Sequence, residues 1–73
     1  MEKRASRARY WKLLDEKANA ERSFRWAMAD RAEALRSGEA NPERLTRLDT
    51  DVQYTERALN LASEELDQVA EML

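Results

Sequence analysis

Leu45, Leu48, Val52, Thr55, Leu59, Ala62, Leu66, Val69 and Leu73 follow one another at strict intervals of three and four. Four repeats of that spacing lay an apolar seam along one side of an α-helix, and such a seam is stable only against another helix. A second stripe, Tyr54, Ala58, Leu61 and Met72, flanks the first. The apolar surface is therefore wider than one partner helix covers, and more than two helices are expected to meet.

The partner within the chain lies before the only turn signal, "RSGEANPER". Gly38 suits the left-handed position that ends a helix, and Arg36 places a cation at the negative end of the helix dipole. Asn41 is a favoured N-cap, Pro42 fits the first helical position, where its missing N–H costs nothing, and Glu43 adds negative charge to the first turn. Helix 1 is expected over about residues 3–37, a turn over 38–41 and helix 2 over about 42–72. A loop this short returns the second helix antiparallel to the first. The expected fold class is all-α: one antiparallel two-helix hairpin spanning residues 1–73, coiled-coil-like and dimerising into a four-helix bundle.

Helix 1 is less regular. Plotted at 100° per residue, Tyr10, Leu13, Leu14, Phe24, Met28, Ala32 and Leu35 share a face, which also holds Lys17 and Glu21, with Arg25 near its edge. Folding about the turn sets Leu35 near Leu45, Met28 near Val52, Glu21 near Leu59 and Leu14 near Leu66. Lys17, Glu21 and Arg25 then fall halfway along the hairpin. One reading has Lys17 and Glu21 snorkelling to the rim and pairing there. The sharper reading is a polar layer that specifies register and oligomeric state, because an unmatched interior ion penalises the wrong alignment.

Composition narrows the function classes. The 73 residues have no Cys and no His, which removes disulfide staples and the usual zinc ligands. So small a chain buries little surface by itself, and association is the remaining source of stability. No cofactor and no metal are expected. No apolar run reaches the length of a membrane span, and "MEKRASRARYWKLL" lacks the apolar stretch of a signal peptide, so a cytoplasmic protein with no membrane partner is expected. The preference for Arg over Lys and the twelve alanines fit a GC-rich prokaryotic or phage source.

Two surfaces invite a partner. Trp26 points well away from the expected core face, and Trp11, Arg22 and Ala29 lie near it. Trp and Arg are the residues most enriched at binding hot spots, so these four are the candidate partner-binding residues. Near the start of the chain Arg4, Arg7, Arg9 and Lys12 interleave with Tyr10 and Trp11, a pattern that nucleic-acid surfaces share. Against it, the chain carries a net charge of −2 and a pI of about 5.2, and "SEELDQVAE" offers acidic partners to "EKRASRAR" across the hairpin.

Enzyme chemistry has little to draw on: no Gly-rich phosphate loop and no Glu-x-x-His motif of bundle di-metal sites. "SEELD", Ser63 to Asp67, is similar to the S-Q-E-L-D signature of small helical-hairpin phosphatases that dephosphorylate response regulators. Glu64 stands where that signature has Gln, and the motif lies near the C-terminus rather than close to the turn. The general architecture resembles small plasmid-encoded four-helix-bundle dimers that bind RNA, which implies a nucleic-acid-binding regulator as the alternative function. The expectation from the residues themselves is a homodimeric, non-enzymatic protein-binding module, a small regulator, inhibitor or assembly factor.

Overall fold

The computed structural model describes residues 2–73, with side chains from Arg7 onward. It is an all-α helical hairpin of α1 (Glu2–Arg36) and α2 (Pro42–Glu71), packed side by side in a rod of 56 × 14 × 13 Å.

The turn is built by local hydrogen bonds. The amide of Glu39 donates to the carbonyl of Ala34 at 2.9 Å, and that of Gly38 to Leu35 at 3.2 Å. Together they make a Schellman ending, with Gly38 at φ 76°, the left-handed conformation that favours glycine. The Ser37 hydroxyl donates a second hydrogen bond to the carbonyls of Glu33 and Ala34, which also accept from the amides of Ser37 and Glu39. On the other side the Asn41 side chain accepts from the amide of Glu43 at 3.0 Å and caps α2, with Pro42 in the first turn.

Between the helices the seam of α2 packs as its spacing requires. Leu45, Leu48, Val52, Thr55, Leu59 and Ala62 are half-buried, and Leu66 and Val69 are buried. Leu73 is half exposed at the end of the chain. The best-packed region lies far from the turn, where Leu13, Leu66 and Val69 form the buried cluster and Tyr10 and Leu14 pack against it. Leu14 thus meets the neighbourhood of Leu66, as antiparallel folding about the turn requires.

The inner face of α1 differs from the one drawn at 100° per residue. Tyr10, Leu13, Lys17, Ala20, Phe24, Ala27 and Ala34 are buried or half-buried, whereas Met28, Ala32 and Leu35 are exposed. With the position of Arg31, whose side chain is exposed, the inward places follow the three-and-four spacing of α2. The cause is the repeat length. A seam with 3.5 residues per turn drifts about 20° per heptad from a straight 3.6-residue helix, which amounts to roughly 70° between Tyr10 and Leu35. Ala27 and Ala34 therefore take the interior places expected for Met28 and Leu35.

Candidate functional site

The heptad frame divides the surface of the hairpin into two flanks. Glu16 and Ala20 of α1 share one groove with Ala58, Leu61, Ala62 and Glu65 of α2. Nearer the turn, Asp30 and Ala34 share another with Arg44 and Leu48. Stepping by sevens, Glu16, Ser23 and Asp30 mark this first flank on α1, with Trp26 beyond them. Ala58 and Glu65 mark it on α2, with Tyr54 and Leu61 beyond. The opposite, second flank carries Leu14, Glu21, Met28 and Leu35 on α1, with Trp11, Ala18, Arg25 and Ala32 beyond them. Its α2 side is polar: Asp49, Glu56 and Ser63, then Ala70.

Both flanks leave large apolar side chains in solvent. Tyr54 is 75% exposed and Leu61 and Met72 are more than half exposed on α2, while Met28 and Leu35 are about half exposed on α1. Trp11 and Trp26 are exposed to 66% and 69%, and Arg22 and Ala29 are exposed as well. These four do not form one patch, however. At 3.5 residues per turn Trp11 and Trp26 point roughly 100° apart, with Arg22 and Ala29 on the outermost row between them. Trp11 turns to the second flank, where its ring meets that of Tyr10 edge-on at a centroid separation of 6.0 Å. Trp26 turns to the first.

Lys17 and Glu21 are half-buried and Arg25 is exposed. They do not share one environment: Lys17 occupies an inward place in the intramolecular seam, whereas Glu21 and Arg25 stand on the second flank. The ion pairs among the described residues lie elsewhere. Arg31 pairs with Asp49 across the two helices, and Arg44 reaches Glu39 at 3.4 Å beside the turn. The charge compensation expected between "EKRASRAR" and "SEELDQVAE" is not among them. Arg7, Arg9 and Lys12 are exposed, as are Glu64, Glu65, Asp67 and Glu71 opposite, and their heads stay in water. The side chains of Lys3 and Arg4 lie outside the described residues.

In "SEELD", Leu66 belongs to the buried cluster, Ser63 is half-buried and the acids face solvent. Among the described residues no three His, Cys, Asp or Glu gather in a way that could hold a metal ion, and no helix is long and apolar enough to cross a membrane. No family model, no curated protein and no solved structure matches this chain.

Sequence reasoning missed the division into flanks. The inward places of α1 held by Ala20, Ala27 and Ala34 carry a weak apolar signal, while the larger Met28 and Leu35 carry a strong one. The signal that could have found the seam is the spacing, read without weighting by size.

Proposed function

We propose that this chain is a non-enzymatic protein-binding module, a small regulator, inhibitor or assembly factor, that self-associates so that four helices meet and presents a helical surface to a partner protein. What supports this is the exposure of Tyr54, Leu61, Met72, Met28, Leu35 and both tryptophans around a core whose buried residues are Leu13, Ala27, Ala34, Leu66 and Val69. Large apolar side chains gathered along each of two flanks of so small a chain mark interaction surfaces. Two flanks give two tasks: one can meet a second copy and the other a foreign protein. Trp26, with Arg22 and Ala29 beside it, is the anchor for the foreign partner, because a Trp buried at an interface contributes several kcal/mol to binding and stabilises an isolated hairpin little.

Sedimentation equilibrium tests the first task, and a stably folded monomer at micromolar concentration overturns it. Trp26→Ala tests the second. The melting temperature and the oligomeric state should stay nearly unchanged while capture of the partner is lost. A loss of stability above about 2 kcal/mol would instead make Trp26 part of the bundle. Should the captured partner be nucleic acid, affinity will fall steeply with salt, whereas a contact centred on Trp26 will depend on salt weakly.

A further inference from the structure

From Trp11 to Leu35 the second flank of α1 carries a complete seam of its own in steps of three and four, interrupted only at its centre, where Glu21 and Arg25 stand four residues apart. The intramolecular partner uses little of it: Leu14 packs against the buried cluster and Glu21 is half-buried, but Trp11, Ala18, Arg25, Met28, Ala32 and Leu35 are exposed. A seam of eight positions over about 36 Å of helix has the form of a helix–helix contact whose second helix is missing.

The sequence of this seam is complementary to itself when reversed. Laid antiparallel on a second copy about a two-fold axis level with Ser23, Glu21 meets Arg25 of the other copy and Arg25 meets its Glu21. In the same register Leu14 lies opposite Ala32, Ala18 opposite Met28 and Trp11 opposite Leu35. Each large side chain finds a small one, except at the ends, where Trp11 and Leu35 close over each other. A slip of one heptad either way sets Glu21 against alanine and leaves the carboxylate without its cation. A parallel arrangement in register stacks Glu21 on Glu21 and Arg25 on Arg25. Charge and size thus select one antiparallel register, and the contact is isologous, as a two-fold dimer requires.

We propose that the second flank of α1 docks on the same flank of a second copy of this chain, antiparallel about Ser23, with reciprocal Glu21–Arg25 ion pairs at its centre. This rests on the self-association proposed above and adds the face, direction and register. The α2 row on the same flank, with Asp49 and Glu56, is polar, so α1 carries the contact. The first flank, with Trp26, Tyr54 and Leu61, stays open for a different protein.

The test exchanges charge between copies. Glu21→Arg leaves a cationic centre and Arg25→Glu an anionic one. Each variant alone should keep its helix content by circular dichroism and self-associate roughly ten- to a hundredfold more weakly, since like charges then face each other twice. An equimolar mixture should recover association as a one-to-one heterodimer. Direction is read with cysteines, which the chain otherwise lacks: Ala18→Cys mixed with Met28→Cys should form the crossed disulfide on oxidation, and Ala18→Cys alone should not. Failure of the mixture to recover, unchanged self-association of both charge variants, or a cross-linked Ala18→Cys homodimer overturns the proposed register while leaving self-association in place. A monomeric parent chain overturns both.

Discussion

Leu66 lies between two exposed acids, Glu65 and Asp67, and is itself among the most buried residues, in a cluster with Leu13 and Val69. Truncation there removes apolar contact with both of them and leaves a cavity in the cluster. Leu66→Ala should cost about 2–4 kcal/mol in urea denaturation. Leu59→Ala should cost less, because Leu59 is half-buried in the hairpin, and a larger loss at Leu59 would mean that a further helix covers it. Gly38 shows the opposite kind of constraint. Nothing lies within 4 Å of where a Cβ would stand, so Gly38→Ala meets no clash, yet its φ of 76° should still cost about 1 kcal/mol. Lys17 is a polar residue at an inward place. Lys17→Leu should raise the denaturation midpoint, since apolar packing outweighs a partly desolvated ammonium.

At the scale of the element, the two helices were not equally legible. The seam of α2 could be read from Leu and Val repeated at three and four, and Gly38, Asn41 and Pro42 located the turn by the backbone conformations they allow. The inner face of α1 could not be read in the same way. Alanine buries so little area that Ala20, Ala27 and Ala34 contribute weakly to any apolar pattern, and Met28 and Leu35 drew the face toward the second flank. Of the candidate site, the outward direction of Trp26 followed from sequence, but its separation from Trp11 onto a different flank depended on the true repeat length. The small interior residues also make a sharp prediction. Ala27→Leu inserts bulk where α2 approaches and should destabilise by about 1–3 kcal/mol, whereas Ala29→Leu, on the outermost row, should change the melting temperature little. Equal effects would place Ala27 outside the seam.

For the whole molecule, a rod only 13–14 Å thick in two directions has almost no residue remote from solvent. Stability that depends on a second copy depends on its concentration, so the melting temperature should rise as protein concentration increases, and a constant value across a hundredfold range would remove the case for coupled folding and assembly. The position of the Leu13, Leu66 and Val69 cluster has a kinetic consequence. These side chains meet only after a loop of about fifty residues has closed, while near the turn the facing interior residues on α1 are the small Ala27 and Ala34. Loop-closure entropy grows only with the logarithm of length, so the distant clasp is not much harder to form than a nearby one. Pairing that spreads outward from the turn only half-buries Leu45, Leu48, Val52 and Leu59, and full burial of large side chains waits for the far end. The hairpin should accordingly fold in one cooperative step, with the open end setting the barrier: Leu66→Ala should slow refolding, while Ala34→Gly beside the turn should mainly quicken unfolding.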